Sequence, residues 1–198
     1  MTFLLALWLA FASAKSDSTL EFENKYVRIV RVHYLPHEKT RAHDHPPTPT
    51  VYVYTTDGGR LKIVHDEMEK PVIRPVVKAG AIRFNHGAPE HHQVEELDGI
   101  ASEYLRVELK IEPLELPQDD IRRAPDDRTP YESAMIRILR VTCPAHSACP
   151  ASGHPENPAV IVAGRKFQWR DAGAASVMNS SAAPLEQVRI ELKSKPLP

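Results

Sequence analysis

Residues 27–54, VRIVRVHYLPHEKTRAHDHPPTPTVYVY, recur 109 positions later as residues 136–163, IRILRVTCPAHSACPASGHPENPAVIVA. The alignment needs no gap, and it matches the alternating start, His45-Pro46 with His154-Pro155, and the apolar run at the end. Order, spacing and residue type all agree, so chance is a poor explanation. We conclude that the chain contains two copies of one architecture.

A second ungapped match joins residues 104–110, YLRVELK, to residues 187–193, QVRIELK, at an offset of 83. The two offsets differ by 26, so the second copy lacks 26 residues between its matched blocks. Arg28 and Arg31 recur as Arg137 and Arg140, and Glu108 recurs as Glu191. We expect these arginines to form cross-strand ion pairs with the recurring glutamates.

Apolar and polar residues alternate in both copies, as in Leu105, Val107 and Leu109, and this period of two predicts strands with one buried face. Residues 56–59, Thr-Asp-Gly-Gly, predict a hairpin turn. The 18 prolines exclude a helical bundle, because proline inside a helix removes a hydrogen bond. We therefore expect an all-β chain with domains at 21–112 and 131–194. Residues 113–130 between them predict an extended, solvated linker, with one helical turn at 119–123 as an alternative.

The first fourteen residues have the pattern of a secretory signal peptide. An apolar run at 3–11 is followed by Ala12-Ser13-Ala14, the small residues that precede cleavage, although the segment has no Lys or Arg. The run is too short to span a membrane, which takes roughly 20 apolar residues. We expect export to the periplasm or the exterior; a buried N-terminal strand or helix is the alternative.

Two cysteines, Cys143 and Cys149, flank a short loop with one proline. They follow the first strand of the second copy, at the places of Tyr34 and Thr40 in the first. A disulfide fits an oxidising compartment, and two free thiols fit the sequence equally well.

Histidines carry the chemistry of this sequence. His43 and His45 are two residues apart, so on a strand their imidazoles share a face, which makes half of a metal site. A third ligand is available in residues 89–94, just before the strand that contains Val94. The alternative is that His43-Asp44-His45 lies on a surface loop before Pro46 and Pro47.

Residues 36–58, which include His43 and His45, resemble the first motif of the cupin superfamily, and residues 78–92 resemble the second. This resemblance implies two double-stranded β-helix (cupin) barrels, of which the second is truncated. It also implies His43, His45 and His92 as ligands of a divalent transition metal, with Fe, Mn, Ni, Zn and Cu all compatible. The glutamate usual in the first motif is absent, because residues 48–50 are Thr, Pro and Thr.

We expect different roles for the other histidines and for Glu90. His86 and Glu90 are candidate fourth groups, whereas His91 should point away from the site. Four other histidines are expected to be structural: His33, His37, His65 and His146. In the second copy Ser152 and Ala175 stand where His43 and His92 stand, so His154 alone cannot hold a metal.

Three functions remain open at this stage: a metal-dependent enzyme acting on a small molecule, a non-catalytic barrel that binds a small molecule or metal, and a structural two-barrel protein. The expected partners are a small-molecule ligand and a second copy of the chain in a homodimer. A net charge of −1 argues against nucleic acid, and no membrane partner is expected after signal cleavage.

Overall fold

The structure, a computed structural model, describes residues 18–66, 68–112, 122–150 and 153–198. These residues contain seventeen strands and no helix, so the prediction of an all-β chain is confirmed. No helix in the described part of the chain has the length and apolar character to cross a membrane. The predicted signal peptide lies outside the described residues, as do positions 113–121 of the linker.

The first copy supplies nine strands: β1 (Ser18–Glu23), β2 (Val27–Tyr34), β3 (His43–His45), β4 (Thr50–Tyr54), β5 (Leu61–His65), β6 (Val72–Arg74), β7 (Ile82–Asn85), β8 (Glu90–Glu96) and β9 (Ser102–Leu109). The remaining strands are β10 (Arg122–Arg123), β11 (Tyr131–Glu132), β12 (Ile136–Cys143), β13 (Ser147–Ala148), β14 (Ala159–Ala163), β15 (Lys166–Arg170), β16 (Met178–Asn179) and β17 (Leu185–Leu192).

Two antiparallel sheets form the first barrel. One sheet has the strand order β1-β2-β9-β4-β7-β10, and the other has the order β3-β8-β5-β6. Alternate residues of both sheets point inward and form a buried cluster that includes Val30, Tyr52, Ile63 and Val94. Burial has a period of two in β7 and β8, whereas β4 and most of β9 are buried on both faces.

The second barrel is truncated, as predicted. Its main sheet has the order β11-β12-β17-β14-β15, and the facing sheet consists only of the short strands β13 and β16. In the first barrel residues 55–81, which include β5 and β6, separate β4 from β7, whereas Gly164 and Arg165 alone separate β14 from β15. The missing segment thus contains two whole strands of the facing sheet together with their connections.

The two main sheets pack face to face around a shared apolar core. Val51, Phe84 and Leu105 of the first barrel meet Ile138 and Ile190 of the second, all at most 3% exposed. The burial of so much aliphatic surface is the dominant force that holds the halves together.

Reciprocal contacts relate the barrels by an approximate two-fold axis. Phe22 of β1 stacks on Trp169 of β15 with the ring centroids 6.0 Å apart. Tyr131 is the repeat counterpart of Phe22, and its ring centroid lies 5.2 Å from that of Phe84. Phe84 is the counterpart of Trp169, because Phe84 lies opposite Val51 in the sheet register and Trp169 lies opposite Val160. Each of these two contacts therefore joins a ring of one barrel to a ring of the other, and the two contacts use repeat-related positions.

One local prediction is wrong. Residues 56–59 do not close a hairpin, because β4 already pairs with β7 and β9, and the chain crosses to the other sheet to form β5. Gly58 instead pairs with Val77, and a Cβ at Gly58 would come within 2.9 Å of Ser102. At the described end of the linker, Arg122–Arg123 is extended and pairs with β7, with Arg122 exposed, and the helical turn expected as an alternative does not include these two residues.

The predicted pairing of an arginine with the recurring glutamate forms in the first barrel only. Arg28 Nη1 lies 3.1 Å from Glu108 Oε2 across β2 and β9. In the second barrel Arg137 approaches Glu132 at 3.9 Å, while both carboxylate oxygens of the fully buried Glu191 accept from the backbone N–H of His154 at 3.2 Å. That prediction fails because the loop before β14 offers Glu191 a nearer donor.

A disulfide joins Cys143 at the end of β12 to Cys149, which decides between the two alternatives left open by the sequence. Both cysteines are buried with Leu139 and Val141 in the small core of the second barrel. The positions match those of Tyr34 and Thr40 in the first barrel, as expected from the repeat.

Candidate metal centre

Two neighbouring strands bring together the three histidines named from the sequence. In the register of β3 with β8, His43 lies opposite His92 and His45 lies opposite Glu90. The ring centroids of His43, His45 and His92 are 4.8–4.9 Å apart, and one ligand nitrogen from each lies within 4.8 Å of the other two. A single ion could therefore reach all three rings.

Oxygen atoms approach the Nδ1 atoms of two of these rings. His43 Nδ1 is 2.9 Å from the carbonyl oxygen of Arg41, and His92 Nδ1 is 3.2 Å from Glu90 Oε2. A proton on Nδ1 of His43 leaves its Nε2 lone pair available, which is the arrangement that orients histidine ligands in metal sites. The Nδ1 atom of His92 lies close to Glu90 but makes no hydrogen bond in this geometry.

The third ring has a different neighbour. Arg106 Nη1 donates a hydrogen bond to His45 Nδ1 at 2.7 Å, and Arg106 Nη2 also contacts Glu108 Oε1 at 2.9 Å. Burial and then the charge of Arg106 lower the pKa of His45 to about 3, and burial also lowers the pKa of His43. Both rings are neutral at neutral pH, as metal ligands must be.

His65 is the residue that sequence reasoning missed. It was expected to be structural, but β5 pairs with β8 so that His65 lies directly opposite His92, with the ring centroids 5.2 Å apart. His65, Glu90 and His92 form a second group whose ligand atoms lie within 4.8 Å of one another. The parity of Leu61, Ile63 and His65 was the available signal, since all three share the inward face.

The other candidates divide as follows. Glu90 belongs to the second group and accepts a hydrogen bond from Asn85 at 2.7 Å. Burial raises the pKa of Glu90, but its contacts with His92 and Asn85 outweigh burial and lower the pKa to about 2, so Glu90 is ionised. His86 belongs to neither group of ligand atoms. His91 points outward, as predicted, and contacts Asp44 at 2.7 Å.

Tyrosine side chains fill the barrel behind the histidines. Tyr34, Tyr52, Tyr54 and Tyr104 line a cavity of about 10 Å³ that also reaches His45, His92 and Arg74. That volume holds roughly one water molecule. A larger ligand must therefore stay on the other side of the histidine rings, where His43 and His45 are partly exposed.

No comparable histidine group exists among the described residues of the second barrel. His154 is exposed and pairs with Glu156 at 2.8 Å, and Ala175 is exposed. Ser152 lies outside the described residues.

The donor set of the first barrel fits a divalent transition metal. Three neutral imidazoles suit several such ions and leave coordination positions for water or substrate. The fit has one requirement, which is that Arg106 gives up its hydrogen bond to Nδ1 of His45. If the ion binds at Nδ1, it takes the place of the Arg106 donor. If the ion binds at Nε2, Nδ1 carries a proton and can no longer accept from Arg106.

Comparisons with known proteins give the fold. No family model and no curated protein sequence matches the chain. Among solved structures, the oxalate decarboxylase of Lactobacillus farciminis in its formate complex is 11% identical, with a TM-score of 0.55 over 98% of this chain and 89% of that one. AerE from Microcystis aeruginosa is 14% identical, with a TM-score of 0.52 over 89% and 97% of the two chains.

Hazelnut (Corylus avellana) vicilin is 10% identical and has a TM-score of 0.50 over 85% of this chain and 75% of that one. Two of these matches span nearly all of both chains, so the likeness includes both barrels. Together with the sheet orders and the motif positions, it establishes that the chain has the fold of the cupin superfamily, as two cupin barrels of which the second is truncated.

Proposed function

We propose that this chain is an exported cupin whose first barrel binds a divalent transition metal through His43, His45 and His92 and acts on a small molecule. The observation that carries the proposal is the convergence of the three rings to within 4.9 Å. The carbonyl oxygen of Arg41 beside Nδ1 of His43 supports it, because a proton held on Nδ1 frees Nε2 for coordination.

In this mechanism the chain's own groups hold and shape the site. Glu90 orients His92 and stays ionised; a carboxylate whose pKa is about 2 is too weak a base to take a proton from a substrate at neutral pH. The tyrosines exclude all but about one water-sized molecule from the interior. A metal bound there would supply Lewis-acid polarisation or activation of a bound water.

Export is supported by the apolar segment at 3–11 and by the disulfide, since disulfides persist in oxidising compartments.

The weak basicity of Glu90 favours a second candidate, a barrel that binds a metal and a small molecule without turnover. Oxalate, the substrate named for one similarly folded protein, is the first probe. Oxalate turnover by metal-loaded protein that is lost in His92→Ala supports an enzyme, whereas saturable binding without turnover supports the alternative.

Metal analysis of protein purified without a histidine tag tests the site itself. We expect close to one ion per chain in the wild type, and loss of that ion in His43→Ala and in His92→Ala. The matched control is His154→Ala, the repeat counterpart of His45, which should keep the ion because it lies in the second barrel. Metal retention in His92→Ala, or equal loss in His154→Ala, contradicts the assignment.

A further inference from the structure

A second group of ligand atoms lies beside the three-histidine centre and shares one ring with it. His65 lies opposite His92 across β5 and β8, and Glu90 lies two positions before His92 on β8, so alternation sends all three side chains into the barrel. Their ligand atoms lie within 4.8 Å of one another. Because His43 and His45 belong to the other group, an ion held by His65 and Glu90 would occupy a position of its own.

The histidine nitrogen nearest to Glu90 is buried and has no partner. His92 is only 6% exposed, and its Nδ1 atom makes no hydrogen bond among the described residues although Glu90 Oε2 is 3.2 Å away. Asn85 donates to the other oxygen of Glu90 at 2.7 Å, which leaves Oε2 on the side of the histidine. Two ligands that each lie about 2.1 Å from one ion, at roughly a right angle, are about 3 Å apart. The unpartnered nitrogen and the carboxylate oxygen therefore have the separation of two ligands of one metal ion.

The donor set is one that divalent ions use in proteins. Two imidazoles and one carboxylate hold zinc in catalytic sites and iron(II) in non-haem oxygenases. Glu90 is ionised, so it supplies a negative charge that the three-histidine centre lacks. The nitrogens of His65 have no hydrogen-bond partner among the described residues, whereas Nδ1 of His45 is held by Arg106. An ion can therefore bind here without breaking a hydrogen bond of His65.

Three features make such an ion weaker than the one at the three-histidine centre. The charges of Arg74 and Arg83 act at His65 and oppose a cation there. An ion already bound at the first centre repels a second one nearby. His92 must also release its remaining ring proton to solvent when both of its nitrogens bind ions.

We propose that the first barrel binds a second, more weakly held divalent transition-metal ion between His65, Glu90 and His92. We expect this ion to be lost during purification and to return in excess metal, in addition to the one ion expected in the purified protein. The position shares His92 with the proposed centre, but His65 and Glu90 lie outside that centre, so the two assignments can fail separately.

Equilibrium dialysis against Co²⁺ counts the ions. The full-length protein is first treated with EDTA and freed of the chelator. The wild type should then bind two ions per chain with two different affinities. His65→Gln should lose the weaker ion and keep the tighter one, whereas His43→Ala should lose the tighter ion and keep the weaker one. His33→Gln, on β2 and in neither group of ligand atoms, is the control and should bind both ions.

The outcomes separate the two assignments. A wild type that binds one ion, lost in His43→Ala, overturns the second position, and so do two classes of bound ion in His65→Gln. One ion that is lost in His65→Gln and kept in His43→Ala supports this position and overturns the three-histidine assignment instead.

Anomalous diffraction tests the position without any variant. Crystals of the full-length protein soaked in excess Co²⁺ should show one peak at bonding distance from His65 and Glu90, besides the peak at the three-histidine centre. Absence of the former at a Co²⁺ concentration that fills the latter overturns the proposal.

Discussion

One arginine decides how readily the histidine cluster takes up a metal. Arg106 reaches His45 from β9, and the charge that lowers the pKa of His45 also repels an incoming cation. Glu108 holds Arg106 on its other side at 2.9 Å. Metal uptake therefore competes with a hydrogen bond that the metal-free protein already makes.

Removal of this competition should tighten metal binding. Arg106→Gln leaves Glu108 paired with Arg28 and removes the positive charge beside His45. We expect the Kd for Zn²⁺ or Co²⁺, measured against a competing chelator, to fall by about tenfold. Arg60→Gln, on an exposed residue paired with Asp98, is the control and should leave the Kd unchanged. A weaker affinity in Arg106→Gln would show that Arg106 belongs to the site.

Three half-buried histidines predict a pH dependence of stability. His43, His45 and His65 all have a pKa below 6.5, so the unfolded chain binds their protons more readily than the folded chain does. Their stabilising contribution is present above pH 6.5 and is lost as the pH falls from 6.5 toward about 3. In EDTA, the unfolding free energy should decline between pH 7.5 and 5, and His45→Gln should flatten that decline. An unchanged slope in His45→Gln would refute the role of this ring.

At the scale of single elements, the sequence predicts those features of the strands that depend on alternation and on local spacing. The strands, the shared face of His43 and His45 and the outward direction of His91 all follow from the period of two. Arg106 escaped prediction because it reaches His45 from the opposite sheet, 61 positions away, which no local pattern records. The parity of β5 gives the inward direction of His65 but not its pairing with His92, 27 positions away. The hairpin prediction at 56–59 was wrong because Asp-Gly indicates a change of chain direction but does not indicate which sheet the chain enters next.

The loop between β12 and β13 depends on its covalent closure. The disulfide spans six positions in sequence, and a small closed loop of this kind stabilises by about 2 kcal/mol. The double variant Cys143→Ser with Cys149→Ser should lose about that amount in urea unfolding and should become insensitive to reductant. Its metal content should equal that of the wild type, because the loop is remote from His92. A reductant effect that persists in the double variant would mean that another group is responsible.

At the scale of the whole molecule, a buried carboxylate of the first barrel forms an ion pair with the second barrel. Glu103 of β9 is 2% exposed, contacts Arg31 Nη1 at 2.5 Å and Thr55 Oγ1 at 2.7 Å, and accepts from Arg165 of the second barrel. Burial raises the pKa of Glu103, but Arg165, Thr55 and Arg31 together lower it to about 2. The repeat itself predicted two similar barrels; it could not predict this contact, because Arg165 lies in a hairpin with no counterpart in the first copy.

Loss of this carboxylate charge should weaken the whole molecule. Glu103→Gln leaves Arg31 without its buried partner, and we expect the unfolding free energy to fall by roughly 3 kcal/mol in urea. Glu21→Gln removes another partner of Arg31, on the exposed side, and should cost less than about 1 kcal/mol. Equal effects of the two substitutions would show that the buried contact contributes no more than a surface pair.

The hairpin at Gly164 and Arg165 bears on the history of the duplicated gene. The second copy has only these two residues where the first has residues 55–81, and this short turn brings Arg165 to the point where it meets Glu103. The shortened half depends on the intact half for its apolar face and for the partner of Arg165. We therefore expect selection to act on the two copies as one unit.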